Sequence, residues 1–161
     1  MINAGSSNNH LHYVFRQVLF GQHQSLQNYL SRYEDELDIN GRDEKGATPL
    51  IRCVQAGLEA EEEKMENLRI CMQVLVQHGA DLEIADNLGR TALHWAAVVK
   101  SPALSSDLLK LGADPTVQEE KGRNALHLAI HMSCIPCVQE IITADNEVSE
   151  ILKNLHANSS Y

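Results

Sequence analysis

The sequence predicts an all-α solenoid, in which short helical hairpins stack side by side and loops project between them as fingers. Three segments carry the same signals in the same order: an acidic residue, a Gly turn, a short apolar helix, a second turn and a second helix. They begin at Asp43, Asp86 and Glu119. The last two starts lie 33 positions apart, and the first two lie 43 apart, one period plus ten residues. A fixed period of this size indicates a repeat architecture.

The third segment carries the motif most completely, reading Thr-Ala-Leu-His-Trp-Ala over residues 91–96. The next segment repeats it as Asn-Ala-Leu-His over 124–127, and the preceding one opens with Thr-Pro-Leu over 48–50. A period of 33 with T-x-L-H-x-A resembles the ankyrin repeat family, over about residues 11–156. The resemblance implies helix-turn-helix units with β-hairpin fingers and a concave face that binds other proteins.

The period divides the chain into a repeat domain with short ends. We expect a flexible leader (1–10), four repeats (about 11–42, 43–85, 86–118 and 119–145), a capping helix (146–156) and a polar tail (157–161). The capping helix is predicted from an apolar stripe at helical spacing, formed by Val148, Ile151, Leu152 and Leu155. The first repeat lacks the Leu-His box, a departure that suits a terminal repeat because nothing stacks on its outer face.

The first repeat is recognised from apolar spacing alone. Residues on both sides of Gly21 recur at helical intervals, namely Val14, Val18, Leu26 and Leu30. Gly21 therefore divides two predicted helices. Register with the third repeat places Leu19 and Phe20 in the positions of Val98 and Val99.

The second repeat contains the ten-residue insertion. Thr48 is a predicted N-cap and Pro49 a predicted first helical residue. The insertion, residues 58–67, consists of good helix formers, and the apolar spacing continues from it through Met65, Leu68, Met72 and Leu75. We therefore expect a second helix extended backwards by about two turns. The acidic residues 61–63 near its start are open to two interpretations, a docking site for a basic partner or a solvated insertion.

The third and fourth repeats follow the pattern closely. Pro102 is predicted to begin a helix that Gly112 ends with a left-handed cap. Asn124 replaces Thr as an N-cap. We expect the first helix of the fourth repeat to pack through Leu126, Ala129 and Ile130, and its second helix through Val138, Ile141 and Ile142.

Composition limits the function classes. The chain of 161 residues has a net charge of −9, which argues against a nucleic-acid surface, because basic patches supply most of that affinity. The acidity permits a partner with basic segments, and it is also common among soluble domains. No apolar run reaches the length of a membrane helix, and residues 1–9 lack a signal pattern. We expect a cytoplasmic or nuclear monomer with four reduced cysteines.

The histidines and cysteines that could act in catalysis or bind a metal are better explained by structural roles. The resemblance to ankyrin repeats implies that His94 and His127 bond nearby turn backbone and tie one finger to the next. Cys134 and Cys137 form a CxxC, which is open to three interpretations: core and turn cysteines, an oxidisable pair, or a metal site. A structural zinc site requires four ligands, and the other two cysteines, Cys53 and Cys71, belong to a repeat two units away. No metal or cofactor is therefore expected.

The chain is predicted not to be an enzyme. It contains no phosphate-binding Gly loop, no G-x-S-x-G and no metalloprotease helix. Three functional classes remain open: a stand-alone adaptor, an inhibitor similar to the IκB group that masks a transcription factor, and an ankyrin segment of a larger regulatory protein.

The resemblance also implies where a partner binds. Finger tips and the inner face of each first helix are the family's usual contact positions. By register the tips are Glu44, Lys45, Ala47, Asn87, Leu88, Arg90, Glu120, Lys121 and Arg123. The inner-face positions are Gln55, Ala56, Val98, Val99, His131 and Met132, with Leu19 and Phe20 in the first repeat. The apolar members form either an interaction strip edged by basic tips or padding between repeats.

Overall fold

The computed structural model describes residues 4–58 and 60–144, which form eight helices joined by turns and loops. They are α1 (Ala4–Leu19), α2 (His23–Arg32), α3 (Pro49–Gln55), α4 (Glu62–Gln77), α5 (Ala92–Val98), α6 (Pro102–Lys110), α7 (Ala125–His131) and α8, described from 135 to 144. The helices pair in chain order, two to each predicted repeat. The predicted all-α repeat solenoid is therefore confirmed.

The stack is built from the first helix of each pair. Helix α1 packs on α3, α3 on α5 and α5 on α7, while α2 packs on α4 behind them. Side chains between these rows are fully buried, among them Leu50, Leu68, Leu93 and Leu104. Ala96 and Ala97 on α5 are also fully buried, and such small side chains permit close approach of neighbouring helices. One continuous hydrophobic core therefore runs the length of the described stack.

The turn after the first helix confirms the register between repeats. Gly21, Lys100 and Ser133 have φ values of 65°, 56° and 57°, all in the left-handed region. Around Lys100, the N–H of residue 100 bonds to the Ala97 carbonyl and the N–H of residue 101 to the Ala96 carbonyl. This pair of bonds is the Schellman cap, which requires a left-handed residue just after the helix.

The helix starts follow the predicted capping. Thr48 accepts a hydrogen bond from the Ile51 N–H at 3.3 Å, with Pro49 in the first turn. Asn124 accepts from the His127 N–H at 3.0 Å. Helix α4 has 16 residues against nine in α6, and it starts earlier relative to its closing glycine. The predicted backward extension through the insertion is therefore confirmed.

Three expectations differ from the structure or lie beyond it. Residues 4–10 are helical rather than a flexible leader, and within this segment His10 contacts Tyr29 on α2 and Tyr33 just after it. Ile130 and Ile142 are 60% and 43% exposed, so the expectation that they pack in the core is wrong. The predicted capping helix, 146–156, lies outside the described residues.

Candidate functional site

A groove of about 560 Å³ lies on the inner face of the stack, between the first helices and the fingers of the second and third repeats. Its lining comes from four segments: two fingers, the C-terminal part of α3 with the residues that follow it, and α5. The lining residues are Glu44, Lys45, Ala47, Arg52, Gln55, Leu58, Asp86, Asn87, Leu88, Trp95, Val98 and Val99. We call this the inner groove.

The walls of the inner groove are apolar. Leu58 and Leu88 are 63% and 48% exposed, and Trp95 and Val98 between them are partly buried. An accessible apolar cluster rimmed by polar residues is typical of an interaction site. Aromatic residues, Trp above all, supply much of the binding energy at such sites.

Trp95 is held in one orientation by polar contacts. Its indole Nε1–H donates to Asp86 Oδ2 at 2.8 Å. The Arg90 guanidinium lies 5.1 Å from the ring centroid, in cation–π contact. The ring therefore enters the groove wall preorganised, which reduces the entropy that a partner would have to remove on binding.

Each finger is closed by the carboxylate at its start. Asp43 accepts from the N–H groups of Lys45 and Ala47, and its other oxygen accepts from the Arg52 Nε–H at 2.6 Å. Partial burial opposes ionisation of this carboxyl, but the Arg52 and backbone hydrogen bonds outweigh it and hold the pKa of Asp43 below its ordinary value. Both oxygens of the Asp43 carboxylate therefore already accept hydrogen bonds within the chain, and they are not free to bind a partner.

Neighbouring fingers touch through their backbones. The Asn87 N–H donates to the Lys45 carbonyl at 3.0 Å, and the Glu120 N–H donates to the Leu88 carbonyl at 3.2 Å. A Cβ added to Gly46 would lie 2.8 Å from the Asn87 nitrogen, and one added to Gly89 would lie 2.9 Å from the Glu120 nitrogen. Glycine is therefore required at both tips for the fingers to approach this closely.

His94 joins the third repeat to the fourth. Its Nε2–H donates to the Arg123 carbonyl at 3.2 Å, which leaves Nδ1 as the acceptor for the Thr91 N–H at 3.2 Å and the Thr91 hydroxyl at 2.9 Å. Burial lowers the pKa of His94, although the bond to the Arg123 carbonyl opposes that shift. The predicted structural role of this histidine is confirmed.

His127 makes only the local half of this arrangement. Its Nδ1 accepts from the Asn124 N–H at 3.2 Å, as His94 accepts from Thr91. The side chain is exposed, and within residues 60–144 no later finger follows for Nε2 to bond.

The cysteines differ from the expectation that all four are reduced. Cys134 and Cys137 form a disulfide, with Cα atoms 5.3 Å apart because Cys134 immediately precedes α8 and Cys137 lies in its first turn. Cys53 and Cys71 are free, and both are buried. Cys137 fills a core position and Cys134 the turn before it, as predicted. Among the described residues, no group of three His, Cys, Asp or Glu side chains is placed to hold a metal ion.

The inner groove collects about half of the predicted contact residues. Glu44, Lys45, Gln55, Asn87, Leu88 and Val98 line it at accessible positions. Ala47 and Val99 also line it, but they are only 1% and 9% exposed, so for these two residues the burial favours the second alternative, padding between repeats. Their small or branched side chains form the groove floor instead.

The other predicted contact residues lie outside the inner groove. They are Ala56, Arg90, Glu120, Lys121, Arg123, His131 and Met132, together with the exposed Leu19 and Phe20. The expected basic rim is also smaller than predicted. Arg123 donates to Glu119 at 3.0 Å, and Arg90 lies over Trp95 and 3.9 Å from the same carboxylate. Glu119 therefore engages both arginines and leaves Lys45 and Lys121 as the rim cations.

Four groove residues were not predicted: Arg52, Leu58, Asp86 and Trp95. Trp95 is the only tryptophan in the chain and directly follows Leu93 and His94 of the repeat motif. Its residue type could have marked it as a contact residue, but from the sequence this helix was considered only for its packing. Leu58 lies in the insertion, where the period gives no register.

A family model described as ankyrin repeats in three copies matches residues 11–119 and 71–154 of the chain. Together these segments span residues 11–154, which is most of the sequence, and they overlap every described helix. No curated protein matches the chain. No described helix is long and apolar enough to span a membrane.

Proposed function

The chain belongs to the ankyrin repeat family, whose members generally bind other proteins and are typically non-catalytic, and from this premise we propose that it is an adaptor that holds a partner protein in the inner groove. The proposal depends most on one observation. Leu58 and Leu88 flank an oriented Trp95 in a groove that is open to solvent. A monomer gains nothing from exposing two leucines beside a tryptophan unless another molecule covers them.

The polar groups of the site support binding rather than catalysis. The Asp43, Asp86 and Glu119 carboxylates close the fingers, and both ring nitrogens of His94 are occupied by backbone or Thr91 partners. A general base needs a free nitrogen or oxygen within reach of a substrate proton. These groups are instead committed to shaping the surface.

Site-specific photocrosslinking tests the proposal. A benzophenone amino acid placed at Leu88 reports contacts in the inner groove, and the same residue placed at Leu111 reports contacts elsewhere. Leu111 is 37% exposed, lies at the end of α6 and does not line the groove, so it is a matched control. We expect a protein to crosslink to the Leu88 derivative in cells and to be identified by mass spectrometry.

The variant Val98→Glu provides a second test in the same photocrosslinking experiment. A carboxylate on the groove wall should abolish the Leu88 crosslink, because a charge against an apolar partner surface must be desolvated without a counterion. Crosslinks of equal yield from Leu88 and Leu111, unaffected by Val98→Glu, would contradict the proposal.

A further inference from the structure

The CxxC pair lies at the start of α8, at a position that has a counterpart one repeat earlier. Cys134 directly precedes α8, as Ser101 directly precedes α6. The backbone is the same at both places. The N–H of Ser101 bonds to the Ala96 carbonyl at 3.1 Å, and the N–H of Cys134 bonds to the Ala129 carbonyl at 3.0 Å. Cys134 is therefore the N-cap residue of α8, as Ser101 is that of α6.

The two N-cap side chains differ in what they bond. The Ser101 hydroxyl accepts from the Leu104 N–H at 3.2 Å, which satisfies one of the free amides in the first turn of α6. In the fourth repeat the position of Leu104 is taken by Cys137, and the Cys134 sulfur is bonded to the sulfur of that residue. A disulfide thus joins the cap to the third helical residue, where the third repeat uses a hydrogen bond.

This link depends on the oxidation state of the pair. A thiol is a weak hydrogen-bond acceptor, and cysteine is not among the residues preferred at N-caps. Reduction therefore leaves Cys134 as a weak cap and returns Cys137 to the state of a fully buried core thiol. A serine at position 134 would cap the helix in either condition. The cysteine pair makes the start of α8 depend on oxidation.

The location of the pair suits exchange with a small thiol. The two cysteines are only three positions apart, and a ring that short restricts the unfolded chain little, so the disulfide acts mainly on the helix start that it closes. Cys134 is 6% exposed, and Ile135 and Pro136 between the cysteines are exposed. A small local opening of the first turn is therefore enough to present the Cys134 sulfur to solvent.

The other two cysteines are unsuited to this chemistry. Cys53 and Cys71 are fully buried in the second repeat. Burial raises the pKa of both thiols, and the thiolate is the form that reacts with a disulfide. Of the four cysteines, the CxxC pair is thus the one that a change in thiol–disulfide balance should reach first.

We propose that Cys134 and Cys137 form a redox-sensitive cap, whose oxidation state sets the stability of the fourth repeat. On oxidation the two thiols join through their sulfurs. The two protons and two electrons that they lose convert a small-molecule disulfide, such as oxidised glutathione, into two thiols.

Reduction runs through a mixed disulfide. A small-molecule thiolate attacks Cys134 Sγ, the bond between the two cysteines breaks, and Cys137 leaves as a thiolate that takes up a proton. A second small-molecule thiolate then attacks the other sulfur of the mixed disulfide and releases Cys134. The pair lies outside the inner groove, so the inference is independent of the proposed function.

Alkylation and hydrogen exchange of the folded full chain test the proposal. Iodoacetamide with mass spectrometry should find Cys134 and Cys137 blocked after treatment with oxidised glutathione and modified after treatment with dithiothreitol. We expect the amides of residues 135–144 to exchange roughly 10-fold faster in the reduced chain, because the first turn of α8 has lost its link. Amides of α3, two repeats away, should exchange alike in both states.

Two variants assign the effect to the cap. Cys134→Ser gives α8 the hydroxyl that Ser101 gives α6, so residues 135–144 should be better protected than in the reduced parent chain. Their exchange should also no longer respond to dithiothreitol. Cys71→Ala removes a thiol outside the pair and should keep the full response.

Four outcomes would overturn the proposal. They are equal exchange of residues 135–144 in the oxidised and reduced chains, a response that persists in Cys134→Ser, a pair that dithiothreitol cannot open while the chain is folded, and loss of protection throughout the chain on reduction. None of these results alters the proposed function, which the Leu88 photocrosslink tests separately.

Discussion

The third and fourth repeats carry the same Leu-His box in different surroundings. In the third repeat Leu93 is 1% exposed and His94 bonds across to the next finger. In the fourth repeat Leu126 is only partly buried and His127 is exposed. Ile130, which occupies the position of the fully buried Ala97, is 60% exposed. The same local sequence therefore contributes differently to stability, because much of its packing comes from the repeat that follows.

The largest expected contrast between the two repeats is the stability lost when the leucine of the Leu-His box, Leu93 or Leu126, is truncated. Leu93→Ala should lower the free energy of unfolding by about 2–5 kcal/mol, since it removes a fully buried side chain. Leu126→Ala should cost roughly half as much, because part of that side chain is already solvated. Urea denaturation followed by circular dichroism measures both. A loss under about 1 kcal/mol for Leu93→Ala would mean that the register of the third repeat is wrong.

The histidines should show the next contrast. His94→Ala leaves the Arg123 carbonyl and the Thr91 N–H without their partner, at a cost of about 1–3 kcal/mol. His127→Ala removes one exposed capping bond and should cost under about 1 kcal/mol. Equal losses in the two variants would show that the bond between fingers contributes nothing beyond the local cap.

The pH dependence of stability tests the burial of His94. Because burial lowers the pKa of His94, the unfolded chain binds a proton at about pH 6.5 that the folded chain does not. The free energy of unfolding should therefore fall as the pH drops from about 7.5 to 5.5. This interval lies above the range in which Asp43 and Glu119, whose pKa values are lowered by hydrogen bonds including those from Arg52 and Arg123, begin to contribute.

Unfolding measured across that interval provides the check. His94→Gln should flatten the dependence relative to the parent chain. A slope unchanged in His94→Gln would show that His94 titrates alike in the folded and unfolded chains.

The smallest expected effect comes from the left-handed residue after the first helix, and here the third and fourth repeats should respond alike. Lys100→Gly and Ser133→Gly should each stabilise the chain by about 0.5–1 kcal/mol, since each relieves a left-handed backbone that costs a side chain about 1–2 kcal/mol. Lys110→Gly is the control, because Lys110 lies in helix α6, where glycine should destabilise. Thermal unfolding of the three variants decides it, and destabilisation by Lys100→Gly would refute the assigned turn.

The fold was predictable because its signals are local and repeated. Thr48, Pro49, Pro102 and Gly112 mark helix ends through backbone chemistry that needs no tertiary information. The helical state of residues 4–10 was not predictable in this way. His10 in this segment contacts Tyr29 on α2, and no local sequence signal reports that contact.

The candidate site was predictable only in outline. Register gave the finger tips and the inner face, and so it found Lys45, Leu88 and Val98. Register could not distinguish Arg90 from Lys45, because the arginine's contact with Trp95 and its proximity to Glu119 depend on the folded finger. Leu58 was missed for a different reason, since an insertion has no counterpart in the other repeats.

The contact of Gly46 and Gly89 with the next finger has a practical consequence. The distance between adjacent tips is set by backbone atoms, by the absence of a side chain at each glycine, and by the Asn87 side chain, which donates to the Glu44 carbonyl at 3.2 Å. Positions 44, 45 and 88 can therefore be randomised together in a combinatorial library while Asn87 and the two glycines keep the fingers in place. The chain is in this sense a template from which binders of other specificities can be selected.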